Sequence, residues 1–278
     1  MNDCKIAVLL TVFNRKDVTL QGLRLLYKAI AVLGEGYTFD KYMTDDGCSD
    51  GTGKAVAKEF PDIHIINGDG KLYWNGGMSR AWQTAVNSGV KYDYYIWFND
   101  DSMLYDNSFI ILFDTLKKVG GNAIISGAFC DESGKVSYGG WAHDVLLEPK
   151  TDLQSADKVN GNLVLIPKCV FNTIGGLDSF FHHSYGDWEY GIRAKKHGFP
   201  LFLTSKYVGK CNRHDGIKKC FNTRVNIVSR FVDLYSPISV CPFELAYYEY
   251  CCRGFFYAVK AFIVVHIRCL VPFAWVLK

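Results

Sequence analysis

A grammar repeats in the N-terminal part of this chain and constrains its fold more than any other feature. A short apolar run breaks off at a polar or acidic turn, and a stretch of helical periodicity follows. Residues 5–10 run into Thr11-Val12-Phe13-Asn14-Arg15. Residues 38–44 run into Asp45-Asp46-Gly47-Cys48-Ser49-Asp50-Gly51-Thr52. Residues 63–66 open into a Gly/Asn-rich loop over 67–77, and Tyr94-Tyr95-Ile96-Trp97-Phe98 ends in Asn99-Asp100-Asp101-Ser102. Apolar runs without alternation read as strands covered on both faces. Between them, Leu20, Leu23, Leu26 and Leu33 predict a helix that Asp17 or Thr19 would cap. Further helices are predicted over 53–59 and 78–88. The order βαβαβαβ predicts an α/β protein with a mostly parallel central sheet and helices on both faces. Right-handed crossovers gather the turns on one edge, the edge where ligands bind in open α/β sheets.

The last of these turns carries adjacent carboxylates, Asp100 and Asp101. Such a pair repels itself and attracts a cation, and hard divalent ions take oxygen ligands often completed by substrate phosphates. A plain surface turn would use the same residues; the gathering of acidic turns on one edge favours chemistry. Further on, the pattern predicts a helix over 108–119 and a strand over 123–129. A hairpin turn follows at Asp131-Glu132-Ser133-Gly134 with its return over 135–140. An irregular loop over the site spans 141–157, and a strand opened by Gly161 spans 159–167. A helix over 168–174 stops at Gly175-Gly176. Asp187 then opens a helix running to Lys196, where the helix dipole also favours an ordinary acid. A last short strand covers 201–204.

At 49% hydrophobic and 21% charged, the chain is globular in composition. Its 31 Lys/Arg and 28 Asp/Glu are unevenly placed: ten against four from residue 209 onward, leaving 21 against 24 before it. In the basic tail, Arg253, Tyr257, Lys260, Val264 and Arg268 fall on one helical face, with Phe255, Phe256, Val259, Phe262, Ile263, Ile267 and Leu270 over the rest. That pattern suits a helix in a membrane interface with basic groups toward anionic lipid; a helix packed on the α/β domain is the alternative. Lys260, His266 and Arg268 interrupt any run long enough to span a bilayer. The N-terminal apolar run is too short for a secretory leader. Ten cysteines without paired spacing predict free thiols in a reducing cytoplasm. Cys211, His214 and Cys220 lack a fourth zinc ligand. Gly68-x-Gly70 and Gly51-Thr52-Gly53-Lys54-Ala55 fail as nucleotide fingerprints, since Tyr73, Cys48 and Ala55 stand where the motifs need other residues. No nucleic-acid module is recognisable.

Taken together, these stretches resemble the family 2 glycosyltransferases, which have the GT-A fold. Residues 10–15 look like that family's first-strand exit, and Thr44-Asp45-Asp46-Gly47-Cys48-Ser49-Asp50-Gly51-Thr52 is similar to its Val-Asp-Asp-Gly-Ser-Thr-Asp-Gly-Thr signature. Asn99-Asp100-Asp101 resembles the Asp-x-Asp metal motif with Asn99 in place of the first acid. Gly175-Gly176-Leu177-Asp178 with Gly186-Asp187-Trp188-Glu189 and Arg193 resembles the family's Gly-Gly-Phe-Asp and Glu-Asp-x-Asp-x-x-x-Arg pair, with Gly186 replacing an acid. The rhamnosyltransferase-like branch that builds bacterial surface polysaccharides is the most similar. The resemblance implies a catalytic domain over 1–215 and a basic, aromatic helical region over 216–278. The unpaired cysteines and the basic amphipathic tail helix predict a cytoplasmic protein, peripheral on the inner face of the cell membrane.

The same resemblance implies inverting transfer of a sugar from a UDP- or dTDP-linked donor to a hydroxyl of a saccharide or lipid-linked acceptor. Asp46 would accept from a pyrimidine N–H, and Thr11, Phe13, Asn14 and Arg15 would line the nucleotide pocket. Trp74, Asn75, Gly76, Gly77 and Met78 would lie beside the diphosphate. Asn99 and Asp100 would reach the ribose or help hold an ion. Asp101, with His214, would ligate Mg²⁺ or Mn²⁺. Asp187 would be the general base, with Trp188 and Glu189 on the acceptor, and an ionised Glu189 would raise the base's pKa if the two couple. A sugar-phosphate nucleotidyltransferase and a non-catalytic sugar-nucleotide-binding protein are the rival readings.

Overall fold

The computed structural model describes residues 3–213 and 217–275. In chain order its elements are β1 (Cys4–Val12), α1 (Lys16–Leu33), β2 (Tyr37–Asp45), α2 (Thr52–Glu59), β3 (Ile63–Asn67), α3 (Tyr73–Asn87), β4 (Tyr94–Phe98), β5 (Met103–Leu104) and α4 (Ser108–Lys118). Then come β6 (Ile124–Cys130), β7 (Val136–Tyr138), β8 (Gly140–Ala142), β9 (Val145–Leu146), β10 (Gln154–Ala156), β11 (Lys158–Val159) and β12 (Leu163–Pro167). The remainder is α5 (Lys168–Ile174), α6 (Gly186–Lys196), β13 (Leu201–Lys210), α7 (Ile227–Leu234), α8 (Pro242–Arg253) and α9 (Phe255–Leu270).

The main sheet runs β10-β13-β6-β12-β4-β1-β2-β3. Its β4-β1-β2-β3 half is wholly parallel. β12 is antiparallel to both β4 and β6, and β13 runs parallel to β6. Successive residues of a strand point to opposite faces, and β1 shows why its apolar run is unbroken. Ile6, Val8 and Leu10 join a core with Leu23 and Leu26 of α1, while Ala7 and Leu9 join a second core with Trp82 of α3, Trp97 and Tyr190. Because β12 is antiparallel, its entry lies at the edge where β1, β2 and β4 exit. That reversal brings Asn160, Gly161 and Asn162 to the acidic turns.

Four expectations are corrected. α1 begins at Lys16 without a side-chain cap, and Thr19 lies inside the helix, fully buried. α3 starts at Tyr73 instead of residue 78 and carries two glycines. The span 141–157 is largely ordered: β8, β9 and β11 form a separate three-stranded sheet, and β10 edges the main one. The helix expected from Arg253 starts at Phe255 instead, since Arg253 closes α8 and Gly254, with a φ of 96°, separates the two. Ala258, Val265 and Cys269 of α9 are buried, while Phe255, Phe256, Ile263 and Ile267 remain exposed. The helix therefore packs on one side and leaves an apolar face free on the other. No helix among the described residues is long and apolar enough to cross a membrane.

Candidate active site

Two abutting cavities open at the strand exits. One, of 480 Å³, is lined by Phe13, Asp46, Tyr73 and Ile238 among others. The other, of 610 Å³, is lined by Asp101, Asn160, Asp187, Trp188 and Lys218 among others. Thr11, Arg15, Trp74 and His183 line both. Turns distant in sequence thus bring Asp46, Asp101 and Asp187 around one cleft.

At the exit of β2, Asp46 is 3% exposed. Its carboxylate accepts N–H groups from Gly70 at 2.9 Å, Leu72 at 3.1 Å and Tyr73 at 3.0 Å. An acid at a helix start suits both the free N–H groups and the dipole. Asp46, the acceptor expected for a pyrimidine, thus lines the smaller cavity while it also holds the 70–73 loop. Asn14 is likewise a tie between turns: its Oδ1 accepts from the Ser49 N–H at 2.8 Å, and it lines neither cavity.

At the exit of β4 the three residues part company. Asn99 Oδ1 accepts from Trp74 Nε1 at 2.7 Å. Asp100 is fully buried, taking the Thr19 hydroxyl at 2.6 Å and an ion pair with Arg15. Burial, opposed by Arg15 and Thr19, lifts its carboxyl to about 6. Asp101 stays accessible and pairs with Arg15 Nη1 at 2.8 Å. The expected contact of Asp100 with ribose or ion is replaced by a positioning role beneath Arg15.

Asp187 occupies the first turn of α6. Oδ2 accepts from the Gly161 N–H at 2.9 Å and Oδ1 from the Trp188 N–H at 2.8 Å. Burial, only partly offset by those N–H groups, raises its carboxyl to about 6. Glu189 is turned away toward Arg193. It is buried and bidentate to Arg193, at 2.8 and 3.1 Å, and Arg193 in turn caps the carbonyls of Ile174 and Gly176. The expected acceptor contact of Glu189 is therefore corrected to a tie between α6 and the end of α5. Trp188 does face the cleft, with Lys158 Nζ over its ring at 4.2 Å and Trp141 beside it at 5.8 Å.

Of the segment expected beside a diphosphate, only Trp74 lines the cavities. Asn75 is buried and donates to the carbonyls of Asp178 and Phe181, both at 2.8 Å. Gly77 permits close approach, since a Cβ there would lie 2.1 Å from Thr11 Oγ1. Gly76 faces Leu72, and Met78 is fully buried in the core. These residues hold the 178–186 segment and β1 in place. His214 lies outside the described residues. Reading the sequence missed Tyr73, Asn160, Gly161, His183 and Lys218 as cleft residues. The doubled His182-His183 ahead of Asp187 was the only local signal.

An α/β sheet with this strand order and this acid-lined carboxyl edge is the fold of glycosyltransferases of the GT-A type. Solved structures with that fold include the mannosyltransferase PcManGT from Pyrobaculum calidifontis in complex with GDP-Man and Mn²⁺. It is 12% identical with a TM-score of 0.53, over 95% of this chain and 74% of that one. GalNAc-T7 with UDP, GalNAc and Mn²⁺ matches at 12% identity and a TM-score of 0.54, over 77% of this chain and 44% of that one. No protein-family model and no curated protein matches the sequence.

Proposed function

We propose that this protein is an inverting, family 2-like glycosyltransferase that moves a sugar from a nucleotide diphosphate onto an acceptor hydroxyl. The observation that carries the reading is Asp187: an acid fixed by two backbone N–H groups, with its pKa raised toward neutrality, in the cavity that also holds Asp101. A base with a pKa near working pH takes a proton most effectively. In this reading the nucleoside occupies the smaller cavity between Phe13 and Tyr73, and the diphosphate reaches Arg15 and Asp101. Asp187 accepts the acceptor's proton as its oxygen attacks the anomeric carbon from the face opposite the diphosphate.

Mg²⁺ or Mn²⁺ fits the donor set, though sparsely. No three His, Cys, Asp or Glu stand together among the described residues. Asp101 would hold the ion together with diphosphate oxygens, a mode in which protein supplies one or two carboxylates. The bound ion would stabilise charge on the departing diphosphate. An 800 Å³ cavity lined by Ile217, Phe221, Val264 and Val265 shares Tyr185 and Lys218 with the cleft, which supports a lipid-linked saccharide acceptor. Bacterial surface-polysaccharide synthesis is the setting we infer for such an acceptor.

A thermal-shift screen of UDP-, dTDP- and GDP-sugars with and without Mn²⁺ tests the reading, because a ligand that binds the folded state raises Tm by mass action. We expect stabilisation by one nucleotide class. No shift at millimolar concentrations, or pyrophosphate release from a nucleoside triphosphate and a sugar phosphate, would overturn it.

A further inference from the structure

Lys218 belongs to the segment that enters the C-terminal region, far in sequence from the strand exits, yet it lines the same 610 Å³ cavity as Arg15 and His183. No carboxylate among the described residues lies within ion-pair distance of its ammonium. Nζ makes a single hydrogen bond, to the Ser239 carbonyl at 2.9 Å. The segment is also pinned, because the Cys220 N–H donates to Asp233 Oδ2 at 2.8 Å and Asp233 accepts from the Ser239 hydroxyl at 3.0 Å. Among the described residues no other acceptor takes its remaining two donors, which leaves them open to a ligand in the cavity. Lys218 is solvent-exposed at the cavity's rim, where its ammonium can meet an anion that docks beside it.

We propose that Lys218 and His183 close a phosphate clamp over Arg15, so that the C-terminal region completes the donor's diphosphate subsite. This rests on the nucleotide-sugar reading above. Three cation-capable side chains from three segments line one cavity together with Asp101 and Asp187, and Arg15 is already paired with Asp101. Their closeness shows in their titration. Desolvation and the neighbouring Lys218 lower the His183 pKa, Arg15 adds to the effect, and Glu244 opposes it. Partial desolvation lowers the Lys218 pKa as well. An arriving diphosphate relieves this crowding of like charge and supplies acceptors for Lys218. Charge-assisted contacts of this kind are the stronger hydrogen bonds. Ile238 of the same region lines the smaller cavity, so both halves of a nucleotide would touch residues beyond 216.

The test is calorimetric titration of full-length wild type, Lys218→Gln and Lys218→Arg with UDP, dTDP, the matching nucleosides and inorganic pyrophosphate. Losing one charge-assisted contact should weaken the diphosphates and pyrophosphate about tenfold or more in Lys218→Gln. Nucleoside binding should not change, and Lys218→Arg should recover most of the loss. Equal diphosphate affinity in wild type and Lys218→Gln, with both folded by circular dichroism, would overturn the clamp. So would a parallel loss of nucleoside binding. Wild type that binds pyrophosphate but no nucleotide would keep the clamp and sink the nucleotide-sugar reading.

Discussion

At the scale of single residues, the proposed chemistry rests on Asp187. Asp187→Asn is expected to cut transfer by about 10²–10⁴-fold, the usual worth of a general base, while nucleotide binding stays intact. A base works only when ionised. With the Asp187 carboxyl raised to about 6, kcat/KM should climb from pH 5 to 7 and level off above. Protonation below that window removes activity, and Asp187→Asn should abolish the rising limb. A flat profile would separate Asp187 from the proton transfer. Gly161 matters for a steric reason: a Cβ there would lie 2.3 Å from the Trp74 ring. Gly161→Ala should therefore destabilise the fold by about 1–3 kcal/mol and lower transfer, read by Tm and by rate. Asp187, Asp101 and Trp188, singled out through the family resemblance, do line one cavity. Asn75, Asp100 and Glu189 line neither cavity because each is a buried polar group that satisfies its neighbours, which in sequence looks like one waiting for a ligand; Asn14 is exposed but spent on the 49–50 turn.

At the scale of elements, the parallel half of the sheet was readable because both faces of those strands are covered. The small sheet of β8, β9 and β11 was not, since strands of two or three residues carry no period. Nor was the start of α3, where Gly76 and Gly77 resemble a loop; tertiary packing against Thr11 overrides their poor helix propensity. The tail helix α9 was legible as amphipathic, but its buried side was not. Its exposed Phe256 and Ile263, near Lys260 and Arg268, suit an anionic membrane surface. Wild type is expected to sediment with vesicles containing anionic lipid. Phe256→Asp with Ile263→Asp should stay in the supernatant and keep nucleotide affinity. Sedimentation unchanged by the double substitution would remove α9 from any membrane role.

At the scale of the whole molecule, the C-terminal region is stitched to the catalytic sheet. Glu244, 2% exposed, meets His182 Nδ1 at 2.7 Å. Tyr247 donates to Asp178 at 2.9 Å, and the Tyr185 hydroxyl donates to the Val240 carbonyl at 3.1 Å. A sequence-based boundary at residue 215 follows a shift in composition, and these contacts cross it. The chain should therefore unfold in one calorimetric transition, with a single Tm that donor nucleotide raises. Two separated transitions would restore the independent halves.

Arg15 is paired with both carboxylates of the β4 exit. A naked metal ion approaching Asp101 meets a guarded acid. A molecule bearing negative phosphate draws the guanidinium toward itself and leaves the acid more open. Ion and phosphate ligand should accordingly strengthen one another's hold by equal factors, as reciprocal linkage demands, and manganese titrations with and without nucleotide will read that factor directly.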